Sequence, residues 1–151
     1  MELFSVRPME ESDLDIVLYL ENTCFVAPWG LKELMYELND NPVSNMWVIE
    51  STVSGVVGFI DYWITFDSAT IAQICINPVF RKRGLGFELL KEAFQDCGAH
   101  KVKNITLEVR EGNAPAVRLY EKFGFKKVLV KEHYYTNGDN ALYMIKEMEE
   151  K

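Results

Sequence analysis

The chain has 151 residues, 48% of them hydrophobic, and a formal net charge of −7. This length supports one substantial core and is too short for two typical domains, so we expect a single domain spanning residues 1–151. The first residues show no basic region followed by an apolar stretch, and no run approaches the ~18 apolar residues of a membrane helix. We therefore expect no signal peptide, no membrane association and a cytosolic protein.

Charge is unevenly distributed along the chain. Residues 1–67 carry a net charge of −10, whereas residues 68–151 carry +3. An acidic first part would repel nucleic acid and would suit a cationic substrate, such as a free α-amino group on a basic protein. The alternative is that acids such as Glu10 and Asp13 only decorate a helix N-terminus, where negative charge is favoured.

The cysteines and histidines predict neither a disulfide nor a metal site. Cys24, Cys75 and Cys97 are odd in number and far apart in sequence, which suits reduced buried thiols. His100 and His133 lack the spacing of a ligand pair, so we expect no metal.

The order of predicted elements indicates a mixed α/β fold. An antiparallel meander of strands precedes a strand, helix, strand crossover, which predicts a mixed sheet with helices on both faces. Ser12 is the expected N-cap of the first helix. Strands are predicted at 3–7, 46–51, 56–66, 70–77, 104–110, 126–134 and 141–148, and helices at 12–23, 31–39, 84–98 and 114–123.

The segment 71–90 predicts an anion-binding turn between a buried strand and a helix. The first amides of a helix have no partner within it, and Gly84 and Gly86 keep side chains out of a ligand's path. Lys82 and Arg83 add positive charge. No Lys followed by a hydroxyl residue comes after Gly86, as a P-loop requires, and Leu89 stands where a dinucleotide fingerprint needs its third glycine. A solvated basic turn remains the alternative.

The segment 104–125 reads as a strand, a short turn and an amphipathic helix. Apolar residues alternate with polar ones along the strand, so Glu108 lies on the face opposite the apolar side chains. Asn113 is the expected helix N-cap, and Pro115 suits the first helical turn.

These motifs together resemble the GCN5-related N-acetyltransferases (GNAT). Their pyrophosphate signature, [QR]-x-x-G-x-[GA], is matched by Arg81, Gly84 and Gly86. The segments A-P-W at 27–29, LEVR at 107–110, LYEKFGF at 119–125 and the pair Tyr134-Tyr135 resemble the ribosomal-protein alanine N-acetyltransferase (RimI) family in particular. The similarity extends from about Pro8 to the C-terminus.

The resemblance implies a GNAT fold and acetyl-CoA as the cosubstrate. In that fold the strands at 70–77 and 104–110 splay apart, and the pantetheine arm enters the gap. The implied cofactor-binding residues comprise strand amides, the anion-binding turn and one helix cap: Ile74, Cys75, Ile76, Lys82, Arg83, Gly84, Leu85, Gly86, Phe87 and Asn113.

The resemblance also implies roles for individual side chains. Glu108 is the candidate general base and Tyr120 the candidate general acid, because acetyl transfer to an amine needs a proton acceptor and a donor for the leaving thiolate. Without the resemblance, Glu108 reads as a solvent-facing strand residue and Tyr120 as a core aromatic. Phe25, Trp29, Tyr134 and Tyr135 are expected to flank the peptide groove, with a core role as the alternative.

The expected function is acetylation of a protein N-terminal amine, most simply the alanine of a small-subunit ribosomal protein. The alternatives are acetylation of a small amine or an internal lysine, and a non-catalytic acyl-CoA-binding module. Two departures from the family pattern leave peptide selection open. Gly30 replaces the Ser or Thr common after A-P-W, and Asn140 stands where an acid commonly precedes Ala141.

Overall fold

The computed structural model describes residues 1–148. Within this range the strands are β1 (Phe4–Pro8), β2 (Ser44–Ser51), β3 (Gly55–Thr65), β4 (Ser68–Ile76), β5 (Asn104–Arg110), β6 (Lys126–Lys131) and β7 (Ala141–Glu147). These seven strands form one mixed sheet in the order β1-β2-β3-β4-β5-β7-β6. Among them, only β4 and β5 pair in parallel; the other neighbours are antiparallel.

Helices cover both faces of the sheet, as predicted. They are α1 (Leu14–Cys24), α2 (Leu31–Asn39), α3 (Leu85–Ala99) and α4 (Ala114–Lys122), with short 3-10 turns at Glu11–Asp13 and Pro78–Phe80. One apolar cluster lies between the sheet and α3 with α4, and a second between the sheet and α1 with α2. Among residues 1–148, no helix has the length and apolar character that a membrane span requires.

Two expectations about local structure are corrected. Ser12 does not cap a helix: the first turn begins at Glu11, and Asp13 accepts the Glu10 N–H at 2.8 Å. The strand predicted to reach residue 134 ends at Lys131 because the chain turns there, with His133 in a left-handed conformation at φ 51°. Side-chain caps depend on local geometry that hydrophobic periodicity does not report.

The cysteine prediction is wrong for one pair. Cys24 ends α1 and Cys75 lies on β4, and the structure joins them as a disulfide with Cα atoms 6.4 Å apart. The two residues are 51 positions apart in sequence, but α1 packs directly on β4. Cys97 is a buried free thiol. Within the described residues, no three His, Cys, Asp or Glu side chains converge to hold a metal ion.

Several acids of the first part are bound inside the fold. Asp13 is buried and accepts two hydrogen bonds from the Arg7 guanidinium, at 2.8 and 2.9 Å, which lower the pKa of Asp13. Asp61 is fully buried, and burial, followed by the neighbouring Glu37, raises the pKa of Asp61 to about 9. When Asp61 is protonated, its carboxyl donates a hydrogen bond to Glu37. This bond gives a partner to the buried Asp61 Oδ2 atom, which otherwise has none.

The Asp61 carboxyl makes stability fall as pH rises. Its pKa is higher in the folded than in the unfolded chain, so from about pH 5 to about pH 8 the unfolded chain loses this proton while the folded chain keeps it. Asp61→Asn keeps a donor toward Glu37 and removes the titration. Urea unfolding across this pH range should therefore give a flatter profile for Asp61→Asn than for the parent. The exposed Asp67→Asn control should leave the slope unchanged, and an equally steep slope in Asp61→Asn would contradict the assignment.

Candidate active site

The sheet opens between β4 and β5, as the resemblance implied. Their ladder runs from Ser68 opposite Asn104 to Ile71 opposite Leu107, and both strands continue beyond it. The pairing of β4 with β3 shifts at the same level: Asp61 faces Gln73 and Tyr62 faces Ile71, which leaves Ala72 as an extra residue. A bulge of this kind bends a strand and increases its twist, so it accounts for the divergence of β4 from β5.

The bulge also reassigns the faces of β4. Before it, Ile71 packs in the core on the α3 side; after it, Ile74 and Ile76 pack on that side, whereas Cys75 joins the core under α1. A single extra residue inverts the alternation because side chains repeat every two positions. Gln73 consequently points toward α1, where its Nε2 donates to Glu21 Oε1 at 3.1 Å.

The three backbone amides singled out on β4 do not all face the gap. Asn77 N donates to Val57 O at 2.8 Å, and the register places Cys75 opposite Phe59. Hydrogen-bonding direction alternates along an antiparallel strand, so the Cys75 amide faces β3 while those of Ile74 and Ile76 face the gap. The gap therefore offers amides from Ile74 and Ile76, and the Cys75 amide is engaged within the sheet.

The basic turn has the geometry of an anion site. Lys82 and Gly84 are left-handed, at φ 66° and 78°, and Gly84 is the N-cap of α3. The first bond into the helix runs from Glu88 N to Gly84 O at 3.2 Å, so the amides of Leu85, Gly86 and Phe87 have no partner within the helix. The helix dipole adds positive potential at the same point.

The glycines of this turn serve different purposes. A Cβ on Gly84 would meet nothing within 4 Å, so its left-handed backbone is what favours glycine there. A Cβ on Gly86 would lie 3.1 Å from Leu119 Cδ2, so glycine lets α3 approach α4 closely.

Two basic side chains of the turn are engaged by other residues. Arg83 Nη1 lies 3.5 Å from Glu2 Oε1, and Arg81 Nε donates to Ile76 O at 3.1 Å. Arg81 thus faces the gap rather than the turn.

Glu108 lies on the α1 side of β5 at the level where the gap opens. Its carboxylate is not isolated. Lys131 Nζ donates to Oε2 at 2.9 Å, and the Tyr134 hydroxyl donates to Oε1 at 3.2 Å. The bond to Glu108 raises the pKa of Lys131, so this side chain is an ammonium at neutral pH.

Tyr120 approaches from the opposite face. It is buried in the core beside α3, with its ring centroid 5.9 Å from that of Phe125. Burial, followed by the nearby Tyr135, raises the pKa of Tyr120 well above its ordinary value. The phenol therefore remains protonated at neutral pH, a state that suits both a proton donor and a packing residue.

The tyrosine pair links these two side chains. Tyr134 and Tyr135 follow β6, with ring centroids 5.1 Å apart in an edge-to-face arrangement. Burial, followed by the Glu108 carboxylate, raises the pKa of Tyr135 to about 12. The pKa of Tyr134 rises for the same reasons. The structure thus brings Glu108, Tyr134 and Tyr135 together, and Tyr120 lies in the core near Tyr135.

The segment between α1 and α2 packs against the sheet through two aromatic side chains. Phe25 packs edge-on to Phe59 with ring centroids 6.4 Å apart, and Trp29 lies partly buried against the same core. Both side chains therefore have packing roles, whatever else they contact. Trp29 also lines a shallow surface cleft with Lys32, Glu33, Tyr36 and Glu37.

Glu21, which no motif in the sequence singles out, holds this segment in place. Its Oε1 atom accepts the Trp29 N–H at 2.8 Å as well as the Gln73 amide, tying the A-P-W segment to β4 beside the bulge. Burial raises the pKa of Glu21 to about 7. A glutamate on an apolar helix face was the available signal, because Glu21 comes four residues after the apolar Val17 and therefore lies on the same face of α1.

The two departures from the family pattern have structural consequences. Gly30 is the N-cap of α2 and has no side chain to offer, but its N–H donates to Glu33 Oε2 at 3.0 Å. Asn140 accepts the His133 N–H at 3.0 Å and donates to Glu111 at 3.3 Å, which closes the β6–β7 connection. Asn113 caps α4 as predicted, accepting the Ala116 N–H at 3.3 Å.

Comparisons with known proteins agree with this geometry. Residues 14–125 match the Acetyltransferase (GNAT) family. A Bacillus subtilis protein provisionally named ribosomal protein bS18-alanine N-acetyltransferase is 37% identical over 141 residues, covering 93% of each chain. The Escherichia coli K12 protein of that name is 26% identical over 136 residues, covering 89% of each.

Solved structures share the fold. The crystal structure of the ribosomal-protein-S18-alanine N-acetyltransferase from Escherichia coli superposes with a TM-score of 0.88 at 24% identity, covering 99% of this chain and 96% of that one. Ard1 from Thermoplasma volcanium gives 0.89 at 25% identity, with 97% and 99% covered. With a family match across most of its length and a relative at 37% identity, this chain belongs to the Acetyltransferase (GNAT) family and is an N-acetyltransferase.

Proposed function

We propose that this enzyme transfers the acetyl group of acetyl-CoA to a protein N-terminal α-amino group, and that its acceptor is the N-terminal alanine of a small-subunit ribosomal protein. The observation that carries the proposal is the opening between β4 and β5, with an anion-binding turn at one end and Glu108 with the tyrosine pair at the other. The acceptor is supported by the names of the Bacillus subtilis and Escherichia coli relatives.

The residues of the turn fit the pyrophosphate of CoA. The amides of Leu85, Gly86 and Phe87 and the cation of Lys82 supply hydrogen bonds and positive potential for an anion. The gap amides of Ile74 and Ile76 suit the pantetheine arm and the thioester carbonyl, whose oxygen gains negative charge during transfer. When bound, acetyl-CoA supplies the activated acyl group, and the protein orients it toward the acceptor.

Glu108 has the position required to accept the acceptor's proton. An α-ammonium group must lose a proton before its nitrogen can attack, and Glu108 is the carboxylate at the opening of the gap on the side open to a peptide. Tyr134 and Tyr135 adjoin it and offer aromatic surface for a small first side chain. Tyr120, protonated and on the sheet face opposite Glu108, is our candidate to protonate the leaving thiolate.

The acceptor class is tested by turnover of acetyl-CoA against a matched panel. The panel contains peptides with different N-terminal residues, a lysine peptide with a blocked N-terminus, and polyamines. The proposal expects the highest kcat/KM for a peptide that begins with alanine. A higher value for the lysine peptide or a polyamine would reassign the acceptor, and binding of acetyl-CoA without turnover of any acceptor would favour a non-catalytic module.

Gly84→Ala should weaken CoA binding. The added Cβ meets no atom, but a left-handed alanine is strained, and relief of that strain would turn the amides away from the phosphate. Gly55→Ala is a matched control, because Gly55 is also left-handed, at φ 75°, with nothing within 4 Å of its Cβ. Calorimetry should show weaker CoA binding for Gly84→Ala alone. Equal CoA affinity in the two folded variants would remove the turn from the cofactor site.

Glu108→Gln should lower kcat by ~10²–10⁴-fold, because the amide cannot accept the proton. The substitution should leave CoA affinity unchanged. Glu111→Gln, on the adjoining turn, is the control and should behave as the parent enzyme does. A parent-like rate in Glu108→Gln would exclude Glu108 as the base.

Tyr120→Phe separates chemistry from packing. It removes the hydroxyl and retains the ring, so a role as proton donor predicts a loss of ~10²–10⁴-fold in kcat with little change in melting temperature. Tyr62→Phe supplies the contrast. Its hydroxyl accepts from Trp47 at 3.0 Å and donates to Asp96 at 2.5 Å, so that variant should lose stability and retain its rate. Unchanged kcat in Tyr120→Phe, with chemistry shown to limit turnover, would leave Tyr120 as a packing residue.

A further inference from the structure

Lys131 places a primary amine of the protein itself at the candidate base. Its Nζ atom lies 2.9 Å from Glu108 Oε2. An α-amino acceptor must bring a primary ammonium to the same carboxylate, so Lys131 presents there the functional group that the enzyme is proposed to acetylate.

Aromatic rings complete the surroundings of this ammonium. The Nζ atom lies 5.2 Å from the ring centroid of Tyr134 and 5.5 Å from that of Tyr143. Both distances are within the range in which a cation is attracted to an aromatic face. A carboxylate with two tyrosine rings is a binding arrangement for an alkyl ammonium, and Tyr134 is also held in place by its bond to Glu108.

The sheet register brings these groups together. Glu108 on β5 is opposite Tyr143 on β7, and Tyr143 is in turn opposite Leu129 on β6. Lys131 lies two residues beyond Leu129 on the same face, so its side chain crosses the Tyr143 ring to reach Glu108. The side chains of Lys131 and Glu108 are 38% and 30% exposed, so solvent weakens this ion pair and allows it to open.

We propose that Lys131 is a self-acetylation site, modified in cis by the acetyl-CoA bound to the same molecule. This inference rests on the proposed function, because it uses the same base and the same acyl donor. Glu108 takes one proton from the Lys131 ammonium, and Nζ then attacks the thioester carbonyl. The N–C bond forms, the C–S bond breaks, and the thiolate leaves as CoA thiol after protonation. The products are acetyl-lysine, CoA and one proton released to solvent.

Acetylation would change the site by removing the lysine's charge. The acetylated nitrogen is a neutral amide and no longer pairs with Glu108 as an ammonium does. Lys131 and a peptide ammonium compete for the same carboxylate, so the modification leaves Glu108 available to the peptide.

The test uses the purified full chain with isotopically labelled acetyl-CoA, followed by peptide mapping in a mass spectrometer. Label should appear at Lys131 with a rate constant independent of protein concentration, as expected for a reaction within one molecule. Lys127→Arg, on the same strand, should retain labelling of Lys131, and Lys131→Arg should lose it from this peptide. Glu108→Gln, checked for folding by circular dichroism, should slow the labelling at least about tenfold.

The other outcomes of this experiment distinguish failure of the self-acetylation proposal from failure of the proposed acceptor. Labelling of Lys131 that matches Lys126, or that persists in Glu108→Gln, would be chemical acylation and would overturn the inference. Turnover of the alanine peptide without labelling of Lys131 would overturn the inference alone. Labelling of Lys131 without turnover of any N-terminal peptide would support the inference and reject the proposed acceptor. Acetyl already present at Lys131 after purification counts as support only where Glu108→Gln lacks it.

Discussion

The extra residue at Ala72 is the constraint on which the candidate site depends. Because β4 bends there, its ladder with β5 stops at Ile71 and Leu107 and the sheet opens. The same residue inverts the faces of β4, sending Gln73 toward α1 and Ile74 toward α3. The backbone amides and the Glu108 carboxylate then meet at one opening. A regular strand at this position would pair its amides with β5 and close the gap.

Acidic groups buried in the fold serve structure as well as charge. From the sequence, the acidic side chains of residues 1–67 could form a surface that binds a cation. In the structure, however, Asp13 is bound by Arg7 and Glu21 accepts a hydrogen bond from the Trp29 N–H. Asp61 shares its proton with Glu37. A buried carboxyl is tolerated when it is hydrogen-bonded or protonated. Part of that acidity therefore fixes α1, α2 and the A-P-W segment to the sheet.

Much of the fold and part of the site follow from the sequence. Alternating and helical hydrophobic patterns place the elements within a few residues, and glycine spacing locates the left-handed turn at Gly84, because both are local signals. The disulfide between Cys24 and Cys75 is not local, since it needs α1 to lie across β4. The pairing of Lys131 with Glu108 is equally remote, because it passes through β7, which comes later in the chain than either residue.

The sequence by itself determined the order of strands and helices, the turn at Gly84, the polar face that carries Glu108, and the family to which the chain belongs. Only the tertiary structure decided which amides of β4 face the gap, which acids are buried or paired, and which side chains contact the candidate base. The division has a physical reason. Periodicity and turn chemistry are properties of neighbouring residues, whereas sheet register, burial and ion pairing arise when distant segments pack together.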